Sequence, residues 1–291
     1  MKDFLSKKYK VTSKIQLADY ETHIQLDTDD AVKDDLKKVR RKLAKLQDKL
    51  YAHGKYSVLI CLQGMDTSGK DSLIREVFKD FNVRGVEVHS FKVPTELELK
   101  HDYLWRHYIA LPARGKFGVF NRTHYENVLV TRVHPEYILG ENLPDVNSVT
   151  DIDDAFWEKR FNQINNFEEH IANNGIIIFK FFLNLSKDEQ KSRLLRRLNI
   201  PEKNWKFSAG DLKERKLWDK YQMYYQEAIN KTATNKAPWY IIPADNKPSA
   251  RYIVAKTIYE VLKTYTNIKE PTLNDKIKAN LAAYKDELQQ E

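Results

Sequence analysis

Five short segments that read as strands, most of them apolar and each followed by a stretch with helical periodicity, set the strongest limit on how these 291 residues can fold. Apolar runs of four to eight residues are typical of strands buried on both faces, and such strands form parallel sheets that helices cover. Their alternation with helices predicts a mostly parallel five-stranded sheet in a three-layer α/β/α sandwich. The predicted strands are 56–62, 85–91, 118–120, 175–183 and 239–242.

Apolar residues spaced three and four apart predict the helices between these strands. Leu36, Leu43 and Leu50 share one face of an amphipathic helix expected at 30–51. Ser186 can cap another helix. After Pro271 the apolar residues fall on one stripe, which predicts a helix docked against the rest of the protein. The remaining helices are expected after residue 70, at about 95–108, from about 123, at about 151–173 and at 250–264.

The chain contains no convincing linker, so we expect residues 1–291 to form a single domain. It would comprise a helical extension at about 1–54, a core at about 55–266 with a basic lid region at about 187–216, and a C-terminal helix at about 272–290. No apolar run approaches the ~20 residues that cross a bilayer, so no membrane contact is expected. The lone Cys61 lies in an apolar run, which favours a buried thiol in a reducing, cytoplasmic compartment.

The strongest local motif is Gly64-Met-Asp-Thr-Ser-Gly-Lys-Asp-Ser72, between the first strand and the next helix. It fits GxxxxGK, with Asp71 where Ser or Thr is usual. Glycines let backbone N–H groups curl around phosphates, and a helix N-terminus favours negative charge. The Lys70 ammonium would then act as a point charge. We predict a phosphate-binding loop made of Gly64, Thr67, Ser68, Gly69, Lys70, Asp71 and Ser72.

Two carboxylates and an arginine extend this prediction. Asp66 lies inside the loop, where it would repel phosphates unless a cation lay between them, so we predict that it binds Mg²⁺. The alternative is a helix cap. Asn121 ends the third strand where an aspartate is common, which leaves Asp66 or Glu126 to supply the charge for a metal. Arg122 can clamp a phosphate through its planar guanidinium or form a surface salt bridge.

Positive charge is concentrated in one segment. The chain has a net charge of +8, and residues 187–216 hold ten basic and five acidic residues. Arg193 and Arg197 are four residues apart and share a helix face that Arg196 widens, so we expect this stripe to grip several phosphates of a long polyanion. A solvated face with local pairs to Asp188 or Glu189 is the alternative.

Together these residues resemble the polyphosphate kinase 2 family over about residues 55–258. The motifs that carry the resemblance are Gly64–Ser72, Phe91–Thr95, His101–Arg106, Phe120–Glu126, Trp205–Ser208 and Pro243–Lys247. Asn121 and the residues after it resemble the subgroup that phosphorylates nucleoside mono- and diphosphates. The resemblance implies a P-loop kinase-like fold with a helical lid, inorganic polyphosphate as donor, a purine nucleotide as acceptor, and Mg²⁺.

The resemblance also implies roles for individual residues. Lys70 and Arg122 would hold phosphates, Asp66 would govern magnesium, and Arg193, Arg196 and Arg197 would belong to the lid. The candidates on the nucleotide side are Lys92, Asn121, Glu126 and Asp102, and a helix-surface carboxylate is an equal interpretation of Asp102. We also expect a homo-oligomer.

Two other functions fit parts of the pattern. An ATP-dependent nucleotide or small-molecule kinase would have much the same loop and lid. A nucleic-acid-binding protein could use the basic helices at 33–49 and 187–216, but no recognised nucleic-acid motif is present, so no nucleic-acid partner is expected.

Overall fold

The computed structural model of the protein describes residues 5–291 and centres on a five-stranded sheet. All its strands run parallel, in the order β2-β3-β1-β4-β5. Each strand begins and ends within one residue of its predicted bounds, so the predicted α/β fold is confirmed. The strands are β1 Ser57–Gln63, β2 Val86–Ser90, β3 Phe117–Asn121, β4 Ile176–Asn184 and β5 Trp239–Pro243.

Helices fill the connections between the strands and flank the sheet. The α-helices are α1 Leu5–Lys8, α2 Asp29–His53, α3 Lys70–Val77, α4 Glu96–Leu99, α5 Trp105–Tyr108, α6 Glu126–Val133, α7 Asp154–Asn173, α8 Lys187–Asn199, α9 Ala209–Lys216, α10 Trp218–Thr232, α11 Lys247–Leu262, α12 Asp275–Ala279 and α13 Leu281–Gln290. Short 3₁₀ helices lie at Leu17–Asp19, Val83–Gly85, Pro135–Glu141, Val149–Asp151 and Pro201–Lys206.

Strands β1, β3, β4 and β5 are buried because helices cover both faces of the sheet. Alternate residues of β1 point to opposite sides: Val58, Ile60 and Leu62 pack in one cluster with α2 and α11, whereas Leu59 and Cys61 pack on the other face. On that second side, α6, α7 and α10 form a further apolar cluster with β4 and β5. Burial on both faces explains why these four strands are rich in apolar residues, whereas the edge strand β2 is only partly buried and alternates apolar with polar residues.

The helix predicted at 95–108 is wrong, because the structure has two short helices there. Thr95 caps α4 in a capping box with Glu98. The Asp102 carboxylate then accepts the N–H of Leu104 at 2.9 Å, in a local turn that precedes α5. His101, Asp102 and Tyr103, which lie between the two helices, line a cavity.

The predicted docking of the C-terminal helix is also wrong. Residues 271–291 form α12 and α13 instead of one helix, and every residue in this range is exposed. The apolar stripe therefore exists in the sequence without meeting the core.

The start of the described chain meets the last strand. Val11 N–H donates to Trp239 O at 2.9 Å and Ile241 N–H donates to Tyr9 O at 3.0 Å, which forms an antiparallel bridge at Lys10. The first four residues of the predicted N-terminal extension lie outside the described residues. Within residues 5–291 no helix has both the length and the apolar character needed to span a membrane.

Candidate active site

The glycine loop, residues 64–69, connects β1 to α3 at the carboxyl edge of the sheet. Its first and last positions need glycine. Gly64 has φ +151°, and a Cβ there would lie 2.9 Å from both Leu183 O and Ser68 Oγ. Gly69 has φ +105° immediately before α3, a conformation that side chains disfavour. The Ser68 N–H closes a turn on Met65 O at 3.0 Å.

Two residues that follow the neighbouring strands β1 and β3 have strained backbone conformations. Thr67 in the loop has φ +66° and Arg122 after β3 has φ +57°. Such conformations cost about 1–3 kcal/mol each in non-glycine residues and persist where the surrounding structure enforces them. Two of the three non-glycine residues with positive φ among residues 5–291 therefore lie where the sequence predicts phosphate binding; the third, Asn142, ends a 3₁₀ helix.

Lys70 is the first residue of α3, and its ammonium lies folded against the loop. Nζ donates to Gly64 O at 2.6 Å and to Met65 O at 3.3 Å. An ammonium has three N–H donors, so one remains for a ligand. Burial, and then the nearby Arg122, lowers the pKa of Lys70 to about 8.

Arg122 brings together the predicted charged residues. Its Nη2 lies 2.7 Å from Asp66 Oδ1, and its Nη1 lies 3.4 Å from Glu126 Oε2. Glu126 and then Asp66 raise the pKa of Arg122 above its usual range, against the effect of burial. The ion pair with Asp66 was not expected from the sequence, because its partners lie on different loops.

Oxygen ligands suited to magnesium lie beside the loop. Asn121 Nδ2 donates to Asp71 Oδ1 at 2.6 Å, while the buried Asn121 Oδ1 has no hydrogen-bond partner among residues 5–291. Those residues contain no cluster of three His, Cys, Asp or Glu side chains that could hold a metal. Mg²⁺ commonly uses one or two carboxylates and completes its shell with waters and substrate phosphates. The Asp66 carboxylate and the Asn121 amide oxygen are each a type of ligand that Mg²⁺ accepts.

A cavity of about 710 Å³ opens beside this charged group. Three of the predicted nucleotide-side residues line it: Lys92, Asp102 and Glu126. Arg122 also lines the cavity and pairs with Asp66 of the glycine loop, so the cavity adjoins the loop. Asn121, the fourth of these candidates, lies instead beside Asp71 at the start of α3. The cavity also has aromatic and cationic walls, formed by Phe91, Tyr137 and Arg106.

The predicted arginine stripe is wrong at Arg193, which is buried. Its five N–H donors are all used within the protein: Nε donates to Glu189, Nη1 to Thr67 O and Ser68 O, and Nη2 to Ala244 O and Asp245 O. No donor remains for a polyanion. The alternative of a local pair with Glu189 is found, at 2.7 Å.

The other two arginines of that helix differ from Arg193. Arg197 pairs with Asp211 at 2.9 Å and donates to Lys206 O. Arg196 is exposed. Arg196 is thus the member of the predicted stripe that the fold leaves open to solvent.

A buried ionic network supports the residues after Arg122. Lys180 Nζ on β4 lies 2.6 Å from Glu168 and 2.8 Å from the Tyr125 hydroxyl, and the Tyr125 hydroxyl donates to Glu168 at 2.7 Å. His124 also bonds Glu168. Burial alone would raise the pKa of Glu168, but the attraction of Lys180 holds it below its ordinary value. The network anchors residues 124 and 125 beneath the site.

Sequence reasoning missed three side chains at this site. Gln190 on α8 donates to Asp66 O at 3.0 Å. Tyr225 on α10 is buried, and this burial, together with the nearby Glu126 carboxylate, raises the pKa of its hydroxyl. Arg106 lies against the cavity and donates to Lys92 O at 2.8 Å. Arg106 falls inside a family motif that could have marked it, whereas Gln190 and Tyr225 belong to no local pattern.

Comparisons with known proteins agree with this geometry. A sequence profile described as Polyphosphate kinase 2 matches residues 25–270. The ADP-polyphosphate phosphotransferase of Rhodopseudomonas palustris is 47% identical over 223 residues, 77% of this chain and 76% of that protein. The AMP/ADP-polyphosphate phosphotransferase of Meiothermus ruber is 47% identical over 225 residues, 77% of this chain and 79% of that protein.

A solved structure supports the same relationship. The crystal structure of Polyphosphate Kinase 2 from Arthrobacter aurescens TC1 superposes with a TM-score of 0.87 at 36% identity, covering 97% of this chain and 96% of that one. The glycine loop, the residues after β3 and the cavity all lie within the matched range. The chain therefore belongs to the polyphosphate kinase 2 family.

Proposed function

We propose that the protein transfers the terminal phosphoryl group of inorganic polyphosphate to AMP or ADP, and to the matching guanine nucleotides. The observation that carries this proposal is that the glycine loop and a 710 Å³ cavity meet at Arg122. A cavity of a few hundred Å³ is typical of a small-molecule site. The names of the relatives, which act on polyphosphate with ADP or with AMP and ADP, support the two substrates.

In this proposal the glycine loop and the cavity are two compartments: the loop binds the donor and the cavity binds the acceptor. Backbone N–H groups of the glycine loop and the Lys70 ammonium would bind the end of the donor chain. The nucleotide would occupy the cavity, with its base among the aromatic side chains of Phe91 and Tyr137. Arg122 borders both compartments, and its forked guanidinium can contact phosphates from either side.

Transfer needs no general base in this scheme. An oxygen of the acceptor's terminal phosphate is already ionised and attacks the terminal phosphorus of the donor. The new P–O bond forms as the bond to the next phosphate breaks, and the shortened polyphosphate leaves with the electron pair. Lys70 and Arg122 stabilise the charge on the transferring group, so the residues contribute by positioning and electrostatics.

We propose magnesium as the cofactor. Asp66 and Asn121 Oδ1 would hold the ion. Asp71, which accepts a hydrogen bond from Asn121, would lie close to it. When bound, the ion neutralises phosphate charge.

The expected cytoplasmic location and homo-oligomeric state stay predictions, which fractionation and sedimentation would test.

One experiment tests donor, acceptor and direction together. The protein is incubated with Mg²⁺ and polyphosphate and with AMP, ADP, GMP or GDP, with ATP as a control donor, and the products are separated by anion exchange. We expect phosphorylated nucleotides from polyphosphate. Product formed from ATP alone would instead establish the ATP-dependent kinase.

A matched pair of variants assigns the activity to the site. Lys70→Ala should lower turnover by more than tenfold, which corresponds to about 1.4 kcal/mol in the barrier. Lys79→Ala, which removes an exposed lysine just beyond α3, serves as the control and should leave turnover unchanged. A Lys70→Ala protein with more than a tenth of the normal turnover would contradict the role of the loop.

A further inference from the structure

Two side chains of α8, one helical turn apart, hold three consecutive carbonyl groups of the glycine loop. Gln190 Nε2 donates to Asp66 O at 3.0 Å. Arg193 Nη1 donates to Thr67 O at 2.9 Å and to Ser68 O at 3.1 Å. The outer side of the loop is therefore fastened to a helix that follows it far along the chain.

Holding the carbonyls also sets the direction of the amides. In a trans peptide the C=O and the following N–H point in opposite directions, and no cis peptide occurs among residues 5–291. Drawing the carbonyls of residues 66–68 toward α8 thus turns the N–H groups of residues 67–69 away from it. In the described part of the chain, the amides of Thr67 and Gly69 have no acceptor, which leaves them for an anion.

The same arginine ties the loop to the sheet. Arg193 Nη2 donates to Ala244 O at 2.8 Å and to Asp245 O at 2.9 Å, just after β5. The guanidinium thus bridges two rigid elements through its opposite edges. This bridge also helps to explain how Thr67 keeps its strained φ of +66°.

Gln190 is itself fixed by a second helix. Its Oε1 accepts from Arg215 Nη1 of α9 at 2.8 Å, and the same Nη1 donates to Lys187 O at 2.7 Å. Because Oε1 accepts this bond, Nε2 is the atom that is left to face Asp66 O. The basic segment is connected to the loop by this pair of hydrogen bonds.

We infer that Gln190 and Arg193 are positioning residues for phosphoryl transfer, which hold the amides of Thr67 and Gly69 toward the donor's phosphates without contacting the donor themselves. The inference rests on the proposed function. It replaces the predicted role of Arg193 as a grip on a long chain.

The first test separates positioning from donor contact. Gln190→Met and Arg193→Lys are compared with Lys191→Ala, which removes an exposed charge from the same helix. Initial rates are measured with tripolyphosphate and with long-chain polyphosphate. We expect kcat to fall about tenfold or more, by the same factor for both donors, and the control to match the wild type. A rise in KM confined to the long donor would overturn the inference in favour of donor contact.

The second test needs no turnover. Hydrogen exchange at Thr67 and Gly69 is followed with and without tripolyphosphate. The wild type should gain protection at both amides, and the two variants should gain much less while β1 stays protected. If the Arg193→Lys protein does not fold, the Gln190→Met protein still tests the inference. Normal kcat and normal protection in Gln190→Met would overturn the inference, whereas a wild type that binds tripolyphosphate but transfers nothing would overturn the proposed function alone.

Discussion

At the residue scale, the charge of Lys70 predicts how the activity depends on pH. Its pKa is about 8, and phosphate binding requires the ammonium form. Donor kcat/KM should therefore fall as the pH rises above about 8, and donor binding near that pH should take up protons. Lys70→Arg, whose guanidinium stays charged, should lose this alkaline limb. A flat wild-type profile up to pH 9.5 would contradict the prediction.

The same shift affects stability, with a definite sign. The pKa of Lys70 is lower in the folded protein than its ordinary value of 10.5. Between about pH 8 and 10.5 the folded state thus binds fewer protons than the unfolded state. The contribution of Lys70 to the free energy of unfolding should increase as the pH rises through this interval.

Asp66 gives a second prediction at this scale. Asp66→Asn preserves the size of the side chain but removes a carboxylate ligand and one partner of Arg122. We expect the Mg²⁺ concentration for half-maximal rate to rise about tenfold or more, since Asn121 brings no charge. Asp80→Asn, which breaks a surface pair with Arg40, is the control. Unchanged magnesium dependence would limit Asp66 to its ion pair.

Single residues were predictable where their role is local. The spacing of Gly64, Gly69 and Lys70 is enough to predict a loop between a strand and a helix. The spacing of Arg193 and Arg197 only says that they share a helix face, and cannot say whether that face meets water or the carbonyls of a distant loop. The partner of Asp66 was missed for the same reason.

At the element scale, the strands and most helices followed from periodicity because burial repeats along each element. The break between α4 and α5 did not, since it depends on one side chain: Asp102 takes the N–H of Leu104 and starts a new turn. The spacing of apolar residues does not reveal such a side-chain-to-backbone hydrogen bond. It also cannot tell a docked amphipathic helix from the exposed pair α12 and α13.

The exposed tail allows a direct prediction about stability. Deleting residues 271–291 should change the free energy of unfolding by no more than about 0.5 kcal/mol, because all of these residues are exposed. Leu262→Ala, at a buried position on α11, should cost about 2–5 kcal/mol in the same urea titration. A large loss on truncation would mean that the tail stabilises the fold after all.

At the scale of the whole molecule, the Glu168 network joins α7 to β4 and to the residues after β3. Glu168→Gln should lower the free energy of unfolding by about 3–5 kcal/mol, since it leaves Lys180 charged and buried without its partner. Glu169→Gln is the matched control: its pair with Lys236 is exposed and worth at most about 1 kcal/mol. Equal effects in urea unfolding would show that the buried pair contributes nothing special.

The order of the strands has a consequence for the timing of folding. β1 is made early but lies in the middle of the sheet, where Val58 pairs with Phe117 on one side and Ile177 on the other. Lys10 can form its bridge only after its partner, Tyr240, has been made. During synthesis β1 can pair with β3 first, but its other neighbour, β4, leaves the ribosome only after residue 184 of 291. Folding of this kind is slow, and a nascent chain that stops before β5 would expose apolar strands to other chains.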